Sequence, residues 1–258
     1  MSSADSLNSP AETLQEESRR RYDEVEHHKM LQRDYVLRLI EQFARAVASV
    51  IRLRSAGDSK AAQVELAHLS QGFLGIDAKL LLSLSDGELL SLFVGSGELD
   101  SGRAVVAQQI LSEEAAIQEA LGDAALTQVY RLRGLSLLLE VLTTDLRFRT
   151  PEYLADLTRL LEMVGDVSTP SIRIRLFRYF DAIGKYAEAE DRLFELLDVG
   201  VNFGEVLPEG LAFYERLLTF SDAELARGDL PRAEVEEGML QLKKWKQTRS
   251  STLPLLEH

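Results

Sequence analysis

The chain of 258 residues carries a net charge of −13, and 45% of its residues are hydrophobic. That apolar content is typical of a globular protein and excludes an intrinsically disordered chain, while the negative charge argues against nucleic-acid binding, because phosphates must be neutralised by cations. The absence of cysteine excludes disulfides, thiolate zinc sites and cysteine nucleophiles.

No segment has the composition of a membrane span or a secretory signal. Even the apolar stretch Leu135–Leu142 is interrupted by Glu140, and a transmembrane helix needs about 18 or more apolar residues. Met1–Glu17 carries acids and no apolar stretch, unlike a signal peptide. We therefore expect a cytoplasmic protein with no membrane partner.

Residues 1–29 are predicted to be an extension in front of the main domain. Ser9–Glu12 combines a capping box with proline at the first helical position, which favours a solvated helical arm. The apolar stripe that follows, Leu14, Tyr22 and Val25, is thin. Partial disorder is therefore the competing interpretation.

From Asp34 onward, apolar residues recur every three or four positions, which predicts one helix after another. The first helix, Asp34–Arg54, has a stripe of Val36, Leu39, Ile40, Phe43, Val47, Val50 and Ile51. Later helix starts are predicted after Gly57-Asp58, at Asp77, at the capping box Ser85–Glu88, at Ser101, at Asp123, and at Thr150-Pro151, Thr169-Pro170 and Pro208-Glu209. Alternating strand patterns are absent, so we expect an all-α fold.

Two adjoining segments, Ile172–Ile183 and Lys185–Leu197, predict a helix pair joined by a turn at Gly184. The stretch Gly184–Ala189 resembles a tetratricopeptide repeat, in which a small residue such as Ala189 lets two helices approach closely. A weaker copy begins at Gly228, farther along the chain than the roughly 34-residue repeat of that family would place it. The repeats are therefore degenerate.

The resemblance implies a right-handed, tetratricopeptide-like stack of about five helix pairs over residues 30–247. Two parts of the chain also resemble the ends of a family of uncharacterised bacterial helical-repeat proteins: Met30–Phe43 resembles its start, and Phe213–Leu218 followed by Gly228–Glu236 resembles its end. The family is a domain of unknown function and would cover about residues 30–242. That resemblance implies a bacterial origin and brings no activity or catalytic residue. Residues 248–258 are interpreted as a C-terminal tail, of which Leu256–His258 resembles a purification-tag remnant.

Patterns that would support catalysis or cofactor binding are weak. The glycines of Gly95–Asp100 lack the third glycine and the preceding strand of a dinucleotide site, so this segment is interpreted as an interhelical loop. A catalytic triad could use only His68, which lies between leucines of a predicted helix and is interpreted as a core or boundary residue. We therefore expect no catalytic residue and no cofactor.

Paired charges also have structural interpretations. Glu113-Glu114 and Glu236-Glu237 are adjacent on predicted helices, where neighbours point about 100° apart, so they are interpreted as solvated faces rather than as a metal site. Trp245, among three lysines, could stack on a nucleic-acid base. Packing of Trp245 on the helices, with the lysines at the negative end of the last helix dipole, is the simpler interpretation. No metal site is expected.

Arginines between Arg131 and Arg178 outnumber the acids of that segment, in a chain that is acidic overall. Helical geometry places Arg131 and Arg173 on or beside apolar arcs, where a guanidinium must extend to solvent, pair with a carboxylate or bind an anion. Internal pairing is the simpler interpretation. As candidate partner-binding residues we single out Arg131, Arg173, Arg175 and Arg178.

These observations favour a non-catalytic protein-interaction scaffold or adaptor. Its partner would be a protein, a peptide or a second copy of the chain, bound on the concave face of the stack. The alternative is a small anionic-ligand receptor or an enzyme using arginines and carboxylates around Arg131 and Arg173. An enclosed pocket lined by those two residues would favour the alternative, and an open groove would favour the scaffold.

Overall fold

The computed structural model describes residues 34–95, 97–165, 169–200 and 203–251. Helix accounts for 83% of them, so the predicted all-α class is confirmed. The proposed N-terminal arm at residues 1–29 and the tag-like end lie outside the described residues. None of the described helices is both long and apolar enough to cross a lipid bilayer.

Two runs of helices follow one another along the chain. The first run consists of α1 (residues 34–55), α2 (Ser59–Leu74), α3 (Ala78–Ser83), α4 (Asp86–Ser91), α5 (Ser101–Leu121) and α6 (Ala124–Thr144). A 3-10 turn at Leu146–Phe148 leads into the second run, which consists of α7 (Pro151–Val164), α8 (Pro170–Ala182), α9 (Tyr186–Val199), α10 (Phe203–Leu217), α11 (Asp222–Arg227) and α12 (Arg232–Ser251).

The predicted helix starts are largely confirmed, because their side chains cap the helices as the sequence indicates. The carboxylates of Asp58, Asp77 and Asp123 accept hydrogen bonds from backbone N–H groups of the first turn. Ser85 and Glu88 form the reciprocal capping box. Helices α7 and α8 each begin with proline, as predicted.

One predicted helix start is wrong, and one predicted interhelical loop contains a short hairpin. Pro208 does not begin a helix but lies inside α10, five residues after its start. The backbone hydrogen bond that it cannot donate would have gone to Gly204, in the first turn, so the helix loses only one bond there. The loop around Gly95–Asp100 contains a minimal antiparallel hairpin of β1 (Val94–Gly95) and β2 (Glu98–Leu99), closed by Gly97 at φ +85°.

Helix α8 is shared by two hydrophobic cores. Ile172 and Leu176 belong to a core built with α1 to α7, whereas Phe177 belongs to a second core built with α9 to α12. Phe180, on the same helix, packs against both. Because two sides of one helix are buried in this way, α8 joins the two cores.

In the second core, two glycines allow helices to approach closely. A Cβ at Gly210 would lie 2.8 Å from Leu242 and 2.9 Å from Leu193, and one at Gly238 would lie well within van der Waals contact distance of the Tyr214 ring. The Tyr214 hydroxyl donates a hydrogen bond to Glu190. Small residues are therefore required where α10 meets α9 and α12.

Candidate interaction face

Ion pairs connect helix α8 to both α6 and α10. Glu140 on α6 pairs with Arg175 on α8, while Arg178 and Asp181 on α8 pair with Glu209 and Arg216 on α10. Residues 129–136 of α6 lie near residues 171 and 172 of α8, ahead of the Glu140–Arg175 pair, so α6 and α8 run parallel. The two pairs between α8 and α10 also increase in residue number together, so α10 runs parallel to them. We call the surface they form the α6–α8–α10 face.

The face is defined by one stripe of side chains from each helix, spaced three or four residues apart so that they share a side. The stripes are residues 129, 133, 136 and 140 of α6, residues 171, 175, 178 and 181 of α8, and residues 205, 209, 212 and 216 of α10.

The Glu140–Arg175 pair is the most buried of these contacts. Arg175 Nη1 donates to Glu140 Oε2 at 2.7 Å, and the arginine side chain is only 8% exposed against 26% for the glutamate. Arg175 Nε is buried without a hydrogen-bond partner. The guanidinium is thus desolvated and only partly compensated, which makes this pair costly to break.

The two pairs between α8 and α10 are more open. Arg178 donates from Nε and Nη2 to the two oxygens of Glu209 at 2.7 and 2.8 Å, and its hydrogen bond to that carboxylate raises the pKa of the guanidinium. Arg216, paired with Asp181, also lies 5.5 Å from the ring centroid of Phe220. Cation and anion alternate across the face, so it carries little net charge.

A cavity of about 380 Å³ opens between α4, α6 and α8. Its lining comprises Asp86, Val129, Leu132, Arg133, Ser136, Thr169, Ser171 and Ile172. Arg133 spans the gap to α4, pairing with Asp86 and donating from Nη2 to the carbonyl oxygen of Leu84 at 2.6 Å. The α6 stripe of the face therefore begins at this cavity and ends at Glu140.

The four arginines singled out from the sequence do not share one site. Arg175 and Arg178 lie on the α6–α8–α10 face. Arg131 pairs with Glu119 on α5 at 2.8 Å, and helical periodicity turns it away from α8. Arg173 approaches Glu195 on α9, with 3.9 Å between Nε and Oε2. A partner-binding role for any of the four stays a prediction.

The structure corrects two other sequence interpretations. His68 is an exposed residue of α2, not a core or boundary residue, because it falls on the side of the helix opposite Leu66 and Ser70. Glu114, interpreted as part of a solvated face, is 3% exposed, and burial raises the pKa of its carboxyl group. Glu236 and Glu237 are exposed, as predicted.

Two further expectations concern metal binding and Trp245. Within the described residues, no group of three or more histidine, aspartate or glutamate side chains could hold a metal ion. Trp245 packs edge-on against Phe194 with ring centroids 5.8 Å apart, so its predicted packing on the helices is confirmed.

Sequence reasoning missed the α6 stripe and the cavity beside it. Arg133, Ser136 and Glu140 follow Val129 at intervals of four, three and four residues, a spacing that could have placed them on one side of α6. The apolar arc of α6 points to Arg131 instead. Their contacts with Asp86 and Arg175, 47 and 35 residues away in sequence, have no local signal.

Comparison with known proteins gives a family without an assigned function. The model of the family of unknown function DUF6483 matches residues 30–247. The chain belongs to this family. No curated protein and no solved structure matches the chain.

Proposed function

We propose that the protein is a non-catalytic interaction scaffold that binds a segment of a partner protein on the α6–α8–α10 face. The finer architecture belongs to the same proposal: a right-handed, tetratricopeptide-like stack in which α6/α7, α8/α9 and α10/α12 are consecutive helix pairs. The parallel arrangement of α6, α8 and α10, with ion pairs from α8 to both neighbours, carries the proposal, because the first helices of such pairs line the concave surface of a helical-repeat protein.

The chemistry of the face also supports binding over catalysis. The arginines of the face are paired with carboxylates, and the other side chains of the face and its cavity are mainly hydroxyl-bearing or aliphatic. A catalytic site would instead bring several titratable side chains together around one position. Polar, self-neutralised surfaces of this kind suit protein contacts that form and dissociate. A second copy of the chain is an alternative occupant of the same face.

The alternative function, a small anionic-ligand receptor or an enzyme, receives no support from the arginines on which it was based. Arg131 and Arg173 pair toward α5 and α9, and neither lines the 380 Å³ cavity. Among the described residues, the cation that does line it is Arg133, which is already paired with Asp86. A free anion would have to displace that carboxylate.

Site-specific crosslinking tests the proposal, because the chain contains no cysteine and a single introduced one can be labelled uniquely. Ala212, exposed on the α10 stripe between Glu209 and Arg216, is replaced by cysteine and labelled with a benzophenone maleimide. The matched control is Leu240→Cys, since Leu240 is 53% exposed on α12 and lies outside the face. Both labelled proteins are irradiated in an extract of the native cells.

We expect a discrete protein adduct from Ala212→Cys that Leu240→Cys does not give. The mass of the adduct identifies either a partner or a second copy of the chain. The same adducts from both positions, or no adduct from Ala212→Cys, would overturn the proposal. A small molecule retained by the purified protein in native mass spectrometry, together with no adduct, would favour the receptor.

A further inference from the structure

We infer that the cavity between α4, α6 and α8 accepts an uncharged aliphatic side chain from an extended segment of the partner. This inference rests on the proposed scaffold function and specifies what the α6–α8–α10 face recognises. It follows from the charges, the apolar surface and the hydroxyl groups of the cavity, and from its position at one end of the face.

The charged groups of the cavity exclude a charged side chain. Among its described lining residues only Arg133 and Asp86 carry a charge, and they pair with each other. The second terminal nitrogen of Arg133 is occupied by the carbonyl of Leu84. A bound carboxylate or ammonium group would therefore have to break an existing ion pair, whereas an uncharged group would leave it intact.

The apolar part of the cavity is incompletely covered. Ile172 and Leu132 form its floor, with Ile172 1% exposed, but Val129 at the rim remains 42% exposed. An aliphatic side chain seated here would remove the exposed surface of Val129 from water. A volume of about 380 Å³ is ample for one leucine, isoleucine or methionine side chain.

The hydroxyl groups of the cavity suit a peptide backbone beside that side chain. They belong to Ser136, Thr169 and Ser171; Ser136 is only 3% exposed, and Thr169 Oγ1 is buried without a hydrogen-bond partner. Although Thr169 is the N-cap residue of α8, its side chain does not cap the helix. Rotation about χ1 would let this hydroxyl donate to a backbone carbonyl of the occupant, a bond that the free protein lacks.

The position of the cavity indicates an extended occupant rather than a single small molecule. The α6 stripe runs without a break from Val129 at the cavity rim to Glu140. Eleven residues of helix span about 16 Å, which about five residues of extended peptide would cover. A segment anchored in the cavity would therefore lie along the face toward the Glu140–Arg175 pair.

Methyl NMR on the full chain tests the inference with three capped amino acids as probes: the amides of N-acetyl-leucine, N-acetyl-glutamate and N-acetyl-lysine. We expect the leucine probe alone to shift the methyl signals of Ile172 and Val129 saturably, with a millimolar dissociation constant. Tighter binding of the glutamate or lysine probe would overturn the inference. So would the absence of saturable shifts with the leucine probe.

Two substitutions locate the binding. Val129→Trp should fill the mouth of the cavity and weaken binding of the leucine probe at least tenfold, whereas Leu240→Trp, on the exposed side of α12, should leave it unchanged. If Val129→Trp does not fold, Val129→Lys removes the apolar rim without added ring volume. Unweakened binding by the folded Val129 variant would overturn the inference.

The outcome is distinguishable from failure of the scaffold function. A crosslinked partner at Ala212→Cys without leucine-probe binding would mean that the partner uses the face but not the cavity. Loss of both signals would remove the proposed function and the inference together.

Discussion

Replacing Arg175 with methionine should destabilise the protein by stranding Glu140. The methionine keeps much of the aliphatic packing of the arginine but removes the only ion pair seen for that carboxylate in the described structure. Glu140 retains 26% exposure, so the cost falls below the 3–5 kcal/mol typical of a fully buried charge.

Two terms set the expected magnitude. Leaving the carboxylate unpaired and losing a charge-assisted hydrogen bond costs about 2–4 kcal/mol. Removing the buried Arg175 Nε, which has no hydrogen-bond partner, returns about 1 kcal/mol. The net loss is about 1–3 kcal/mol, equivalent to a fall in Tm of roughly 3–10 °C for a chain of this length.

Urea and thermal unfolding of Arg175→Met, Glu140→Met and the double variant measure this loss. The double variant should be within about 1 kcal/mol of the wild type, because neither charge is left alone. Arg178→Met is the matched control, since this side chain is 47% exposed and its pair should contribute less than about 1 kcal/mol. A double variant no more stable than Arg175→Met would refute the reasoning, since the loss would then come from packing.

Three further predictions concern single positions. Burial raises the pKa of the Glu114 carboxyl group above 4.5, so the stability that this group contributes is present at acidic pH and is lost as pH rises through the folded-state pKa. Glu114→Gln should therefore raise Tm at about pH 7.5, and this gain over the wild type should vanish near pH 4.5. In denaturant titrations Gly238→Ala should lower the free energy of unfolding by about 3 kcal/mol through its clash with a tyrosine ring, whereas Gly72→Ala, on an open helical surface, should raise it by about 0.5–1 kcal/mol. Arg131→Met should change the same quantity by less than about 1 kcal/mol, because its partner carboxylate is 60% exposed and stays hydrated; a loss of several kcal/mol would assign Arg131 to the core.

The sequence predicts helix starts well because the physics that sets them is local. Asp58 and Asp123 cap their helices through bonds to backbone groups three residues away, so a short stretch of sequence contains the whole interaction. Pro208 shows the limit of this reasoning. Proline tolerates more than one position near a helix start, and which one it occupies depends on residues that pack elsewhere.

The site is harder to predict, because its contacts join distant segments. Helical periodicity indicates which side of α6 carries Arg133, but it does not indicate that Asp86 on α4 lies opposite this arginine. The same limit explains Glu114: two adjacent glutamates look like a solvated surface until packing turns one inward and leaves the other, Glu113, to pair with Arg54. Charge alone does not distinguish these environments.

The sharing of α8 between two cores has a consequence for how the molecule comes apart. A chain cut between α8 and α9 would leave Phe177 and its neighbours on α8 facing water, and one cut between α7 and α8 would remove Ile172 and Leu176 from the core they complete. Neither fragment would keep all of its apolar surface covered. The two halves should therefore melt in a single calorimetric transition, with α8 transmitting a loss of order in either half to the other.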